Sequence, residues 1–177
     1  MALIKLKSRG LTLSDTFAFT GTVTGVDGKF ESQLLHIRDE KSSGTGGGTS
    51  SSGSWQTRTL NTVKTNEISA SLSSNQVSLI SGTYYIMAKA LHFDGDRHKI
   101  KLRNITDSSD EIIGSSEYAE DSSNGTTNSY LNGRFTIGGT KVFEIQHRCE
   151  VGDGSFGVQS SFGVIEVYAD VQIWKVA

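Results

Sequence analysis

From Trp55 onward, short apolar or alternating segments follow one another at close spacing, with polar turns between them. No stretch keeps a helical period for more than two turns, whereas many stretches have the length and alternation of β-strands. These are residues 54–61, 77–80, 83–93, 98–106, 111–118, 129–137, 140–149 and 164–176. The chain also has 20 glycines and no proline, which does not resemble the composition of a helical bundle. The sequence predicts an all-β protein, an antiparallel jelly-roll β-sandwich.

The chain divides into an N-terminal arm, residues 1–33, and a jelly-roll domain, residues 34–177. The arm carries an alternating stretch whose apolar side chains share one face, which we expect to dock on another surface. They are Leu11, Leu13, Phe17 and Phe19. Residues 34–41 predict a strand, and the Gly/Ser/Thr-rich tract 42–54 predicts a long, flexible surface loop. Gly138-Gly139 predicts a tight hairpin between strands 129–137 and 140–149.

Two predicted strands carry apolar side chains on both faces. In strand 83–93, Tyr84 and Ile86 share one face while Tyr85 and Met87 lie on the other. In the last strand, the predicted core face carries Ile165, Val167, Ala169, Val171 and Ile173. Its opposite face carries two aromatic residues, Tyr168 and Trp174. In a chain of this size, two-faced strands favour a subunit interface.

The sequence offers no catalytic constellation, cofactor motif or metal site. Its formal net charge of −2 gives no reason to expect nucleic acid or a membrane surface as partner. The start of the chain lacks the apolar core of a signal peptide, and no apolar run is long enough to span a membrane. His147 lies two residues before Cys149, but His36, His92 and His98 are scattered, so zinc is not expected. Calcium at Asp94-Gly95-Asp96, or with oxygens from Asp153, stays open.

A basic run lies on one predicted strand. It comprises Arg97, His98, Lys99, Lys101 and Arg103. The lysines and Arg103 alternate with Ile100 and Leu102, which is typical of the solvated face of a strand. An acidic partner or a glycan is the alternative interpretation.

From Leu34 to its end, the chain resembles the C-terminal domain that recurs in virion proteins of tailed phages. The resemblance rests on segments in the expected order: LLHIRDEKSSGT (34–45), LNTVxTNEI (60–68), SGTYYI (81–86), DRHK (96–99), LRNITDS (102–108), GSSEY (114–118), GRFTI (133–137), KVFEIQHRC (141–149) and EVYADVQIWK (166–175). The stretch 10–23 also resembles a piece that precedes this domain in phage fibres.

The phage domain is itself similar to the globular-head jelly roll of complement and tumour-necrosis-factor-like proteins. The resemblance implies two antiparallel sheets and a tight homotrimer. Tyr85, Met87, Tyr168 and Trp174 then become candidates for the trimer interface.

Two functions follow as expectations, both non-enzymatic and both in a virion assembled in the host cytoplasm. The first is capsid decoration, with the arm bound to the major capsid protein or another virion protein. The alternative is the receptor-binding tip of a tail fibre or spike, which recognises a host surface glycan. Aromatic residues in the predicted loops are candidates for contacts with that glycan: Tyr118, Tyr130 and Phe156.

Overall fold

The computed structural model describes residues 33–152 and 154–176 of the chain. Twelve strands are present in that part: β1 (Leu34–Lys41), β2 (Gln56–Thr57), β3 (Thr62–Asn66), β4 (Ser71–Ser73), β5 (Gln76–Leu79), β6 (Gly82–Phe93), β7 (Asp96–Asn104), β8 (Ser109–Ile113), β9 (Glu117–Ala119), β10 (Thr126–Ile137), β11 (Lys141–Cys149) and β12 (Glu166–Lys175). One short 3₁₀ turn, Asp121–Ser123, precedes β10. Within the described part, no helix has the length and apolarity that crossing a membrane requires.

The strands form two antiparallel sheets. Sheet A has five strands in the order β10-β6-β12-β1-β3. Sheet B has seven strands, with the path β4-β5-β11-β7-β8, while β2 pairs with β11 and β9 pairs with β7. The first and last strands are neighbours, since Leu35 pairs with Ile173 and Ile37 with Val171. The predicted all-β jelly-roll sandwich is confirmed.

The core lies between the two sheets. It is formed by alternate side chains of each strand, those that point toward the opposite sheet. Tyr84, Ile86 and Ala88 on β6 are buried, while Tyr85 and Met87 between them point outward. From sheet B, the inward side chains include Ile100, Leu102, Phe143 and Ile145. The Tyr84 ring stacks on Phe135 at 5.6 Å between centroids, and Phe135 contacts Phe143 at 5.3 Å. These contacts join the two sheets through aromatic packing.

The hairpin predicted at Gly138-Gly139 is wrong. Strand β10 pairs along its whole length with β6 in sheet A, whereas β11 pairs with β7 in sheet B. The two glycines therefore carry the chain from one sheet to the other. The apolar side chains of β10 and β11 face each other across the core instead of lying side by side, as the Phe135–Phe143 contact shows.

The tract 42–54 lies against a second segment, residues 154–157. The Gly47 amide donates to the Gly157 carbonyl at 2.8 Å, and the Phe156 amide donates to the Gly48 carbonyl at 2.8 Å. A Cβ on Gly47 would overlap the Phe156 backbone, so only glycine fits this close approach. The expectation of a free, flexible loop is corrected, because main-chain hydrogen bonds fix the tract.

The carboxylate of Glu166 connects the tract 42–54 and the neighbouring residues Ser160 and Ser161 to β12. Glu166 accepts hydrogen bonds from the amides of Gly44, Ser160 and Ser161 and from Ser160 Oγ, at 2.8–3.2 Å. The amides of Ser160 and Ser161 and the Ser160 hydroxyl lower the pKa of Glu166 to about 2. Ile165, assigned to the core face from the sequence, precedes the strand and is exposed.

Candidate functional site

An aromatic patch lies on the outer face of sheet A, and its members are Tyr85, Met87 and Trp174. Tyr85 is 38% exposed and Met87 is 46% exposed. The rings of Tyr85 and Trp174 are 6.2 Å apart, because Trp174 pairs with Tyr85 in the β12–β6 register. Three of the four predicted interface residues are thus brought together on one open surface.

Tyr168, the fourth predicted interface residue, is placed differently. It is only 3% exposed, and its hydroxyl donates to the Thr45 carbonyl at 2.7 Å. The tract 42–54 of the same protomer therefore covers the Tyr168 side chain. Tyr168 therefore connects β12 to this tract within one protomer and is not part of the open patch.

A shallow cavity of about 270 Å³ adjoins the aromatic patch, with Met87, Lys89, Tyr130 and Asp170 in its lining. Arg38 Nε donates to Asp170 at 2.6 Å, and His36 Nε2 lies 3.1 Å from the same carboxylate. Burial opposes ionisation of Asp170, but His36 and Arg38 keep the pKa of that carboxyl below its usual value. Asp170 at this border therefore has partners, whereas no carboxylate of the described residues forms a salt bridge with Lys89.

The three predicted glycan-contact aromatics do not converge. Tyr118 on β9 is 55% exposed and belongs to sheet B, while Tyr130 on β10 is 50% exposed and belongs to sheet A. Phe156 is only 8% exposed. Its ring lies 4.1 Å from the Arg58 guanidinium and 5.5 Å from the His147 ring. The interpretation of Phe156 as a loop residue open to ligand is corrected: it belongs to the interior.

Three histidines that are far apart in the sequence form one buried cluster, which includes two of those expected to be scattered, His92 and His98. This histidine cluster comprises His92 on β6, His98 on β7 and His147 on β11, with ring centroids 5.0–5.4 Å apart. His98 Nδ1 and His147 Nε2 share a hydrogen bond of 2.9 Å, and His98 Nε2 lies 2.7 Å from Thr127 Oγ1. Only the register of three strands in two sheets brings these residues together.

The histidine cluster is electrically neutral at neutral pH. Burial, with the nearby charge of Arg58, lowers the pKa of both His92 and His98 to about 4. The same causes hold the pKa of His147 well below its usual value. Within the described residues, no group of three or more His, Cys, Asp or Glu side chains is arranged to hold a metal ion. His98 and His147 instead direct ring nitrogens at each other.

A second concave surface lies on the outer face of sheet B. This basic cleft has a volume of about 600 Å³. Trp55 lies at one side, Ser116 and Glu117 at another, and Lys99 and Arg148 also line it. The basic strand is visible in the sequence, whereas Trp55 and Arg148 lie outside that run. Their place beside Lys99 depends on strand pairing, which a single sequence does not reveal.

The predicted arm contacts, Leu11, Leu13, Phe17 and Phe19, lie outside the described residues. Asp153 does as well. The Asp94-Gly95-Asp96 turn is described. Asp94 and Asp96 both adopt positive φ angles there, and the Asp96 carboxylate accepts the Asp121 amide at 3.1 Å. Nothing in this turn tests the calcium alternative.

No protein-family model matches the chain, and no curated protein sequence matches it. Solved structures do match. The globular domain of zebrafish complement 1qA protein has a TM-score of 0.53 and 9% sequence identity, covering 82% of this chain and 98% of its own. This chain has the same kind of jelly-roll fold. Murine APRIL at pH 5.0 gives a TM-score of 0.49 at 10% identity, covering 81% and 99%.

Proposed function

We propose that the protein is a non-enzymatic structural component of a tailed-phage virion, that it assembles as a homotrimer, and that it decorates the capsid. The observation that carries this proposal is the aromatic patch of Tyr85, Met87 and Trp174 on sheet A. The inner face of that sheet already forms the core, so apolar side chains on its outer face have no role within one protomer. Contiguous exposed apolar groups of this kind mark surfaces that associate.

Assembly through this face agrees with the resemblance to phage virion domains, which implies a homotrimer. Strand β6 is central, because its inward residues hold the core while its outward Tyr85 and Met87 would meet a neighbouring protomer. The His36–Arg38–Asp170 group beside the patch is already satisfied internally. Burying this group therefore leaves Arg38 and Asp170 paired, whereas Lys89 beside them and Arg134 opposite Tyr85 would need partners on the neighbouring protomer.

The arm is the proposed attachment segment. Its alternating residues Leu11, Leu13, Phe17 and Phe19 would bind the major capsid protein or another virion protein. Each fully buried side chain of this size contributes roughly 1.5–3 kcal/mol. Three arms on one trimer would bind with avidity, and a trimer suits a local threefold position of the shell. The protein is then located in the virion, after synthesis in the host cytoplasm.

The second candidate is the receptor-binding tip of a tail fibre or spike. Tyr118, Tyr130 and Phe156 do not form a common surface, so the loop aromatics no longer favour it. The basic cleft on sheet B does favour it, because a fibre tip needs a ligand site away from the assembly face.

The number of copies per virion separates the two candidates. Quantitative mass spectrometry of purified virions would compare this chain with the major capsid protein. We expect a ratio within a few-fold of one to one, because a decoration protein occupies every equivalent position of the shell. A few tens of copies or fewer would refute decoration and assign the chain to the tail or a fibre. Complete absence from purified virions would refute both.

A further inference from the structure

The outer face of sheet B carries cations that pair with carboxylates. Arg97 Nε donates to Glu150 Oε2 at 2.7 Å. Lys101 and Arg103 both contact the Asp110 carboxylate, with Lys101 Nζ and Arg103 Nη1 at 2.9 and 2.8 Å from its Oδ1. Arg97, Lys101 and Arg103 of the basic run therefore each have a carboxylate partner within the protomer, as expected for a stable strand face.

Lys99 and Arg148 are the exception on that face. They are directly opposite each other in the β7–β11 ladder, between the Arg97–Glu150 pair on one side and Lys101 on the other. Among the described residues, no carboxylate forms a salt bridge with either of them. Like charges directly opposite on neighbouring strands are destabilising. The repulsion between Lys99 and Arg148 therefore lowers the stability of the fold. A bound anion between the two cations would offset that repulsion.

The surroundings of this pair have the shape of a ligand site. The basic cleft of about 600 Å³ lies over it, within the range usual for small-molecule sites. Trp55 lies at one side of the cleft. It makes a cation–π contact with Lys101, whose ammonium lies 4.2 Å from the centre of the indole ring. Glu117 and Glu150 also line the cleft, so it offers acceptors as well as cations.

We propose that this cleft binds an acidic saccharide, through a pyranose ring that carries a carboxylate. Arg148 and Lys99 would bind the carboxylate by charge-assisted hydrogen bonds. Trp55 would pack on the apolar face of the ring. Glu117 and Ser116 would accept hydrogen bonds from its hydroxyls. A nucleic-acid backbone fits less well, because successive phosphates would meet Glu117 and Glu150.

This binding activity goes beyond the proposed structural role and does not depend on it. The cleft lies on sheet B and the aromatic patch lies on sheet A, so the two surfaces share no residue. The site is compatible with a shell position and with a fibre tip. Its test uses the isolated full-length protein, so a failure would not bear on the virion assignment.

The decisive comparison is D-glucuronate against D-glucose, which differ only in the carboxylate at C6. Saturation-transfer NMR and calorimetry with the full-length protein should show binding of glucuronate and none of glucose. The double variant Lys99→Gln/Arg148→Gln should weaken that binding at least about tenfold, and Trp55→Ala should weaken it as well. Arg103→Gln on the same strand is the matched control and should leave the affinity unchanged.

Three results would overturn the proposal. One is the absence of glucuronate binding at millimolar concentrations by folded protein. Another is equal binding of glucose. The third is inorganic sulfate binding as tightly as glucuronate with no effect of Trp55→Ala, which would indicate a bare anion site. A hyaluronan tetrasaccharide that binds more tightly than free glucuronate would support a polysaccharide as the source of the sugar, and equal affinity would support a monosaccharide.

Discussion

Arg58 is fully buried, and its charge adds to the effect of burial in keeping the histidines around it neutral. Its guanidinium donates to the carbonyls of Leu91, Phe156 and Tyr168 at 2.9–3.3 Å. No carboxylate of the described residues forms a salt bridge with it, and burial lowers the pKa of Arg58 to about 10. A second positive charge in this region would repel the first. The interior therefore accepts three imidazoles only in their neutral form.

Acidification should destabilise the protein through the histidine cluster. Unfolded histidines have a pKa near 6.5, whereas the folded pKa of His92 and His98 is about 4. Between these values the unfolded chain takes up protons that the folded chain does not. Stability is therefore full above pH 6.5 and falls as the pH decreases to about 4. The full loss is on the order of 3 kcal/mol for a single histidine shifted this far. About 2 kcal/mol of it falls between pH 7.5 and 5.0, and urea unfolding at these two pH values would measure that part.

Two histidine variants test whether the loss of unfolding free energy at low pH comes from the histidine cluster or from other titrating groups. Neither ring nitrogen of His92 has a hydrogen-bond partner in the described structure, so His92→Phe keeps a planar ring, breaks no hydrogen bond and removes one titrating group. This variant should lose less stability between pH 7.5 and 5.0 than the parent does. His36→Gln, outside the cluster, should retain the parent's acid sensitivity. An unfolding free energy of the parent that does not change over this range would contradict the explanation.

At the scale of elements, stability should depend strongly on the pairing of tract 42–54 with residues 154–157. A Cβ on Gly47 would overlap the Phe156 backbone, and Phe156 in turn packs on Arg58. Gly47→Ala should therefore cost about 1–3 kcal/mol, seen as a lower Tm. Gly139→Ala is the matched control, because nothing lies within 4 Å of the added methyl group. Equal Tm values for the two variants would show that the tract is not fixed by this contact.

The same elements show how far a single sequence determines the fold. The alternation in β6, β7, β10, β11 and β12 reflects burial of one face, and those strands were predicted correctly. Strands β3 and β4 were missed because they are short, polar and at the sheet edges, where little apolar pattern is needed. The Gly138-Gly139 hairpin was wrong because turn residues specify a local bend, not the sheet that the next strand joins.

The candidate sites were less predictable than the strands, for a related reason. Tyr85, Met87 and Trp174 could be named in advance because their position depends on alternation within single strands. The Lys99–Arg148 pair depends on the register between β7 and β11. The histidine cluster depends on three strands in two sheets. Such long-range pairings bring together residues that are far apart in sequence, and no local pattern encodes them.

For the whole molecule, the two sheets present different outer surfaces. Sheet A offers the aromatic patch, and sheet B offers the basic cleft with the unpaired cations Lys99 and Arg148. This separation allows one face to assemble while the other binds a ligand. If the homotrimer forms through sheet A, charged side chains introduced on its outer face should prevent assembly. They should leave the fold of each protomer intact.

The double variant Tyr85→Lys/Met87→Lys tests whether protomers assemble through this face. Both side chains point out of the core, so lysines are tolerated in a lone protomer but would be buried without partners between protomers. By light scattering after size exclusion, the parent should have three times the 19.1 kDa mass of one chain, and the variant should have the mass of one. Ile113→Lys, at an exposed position of sheet B, should leave the parent mass unchanged. A parent that is monomeric at micromolar concentration, or a variant that remains trimeric, would show that this patch does not hold protomers together.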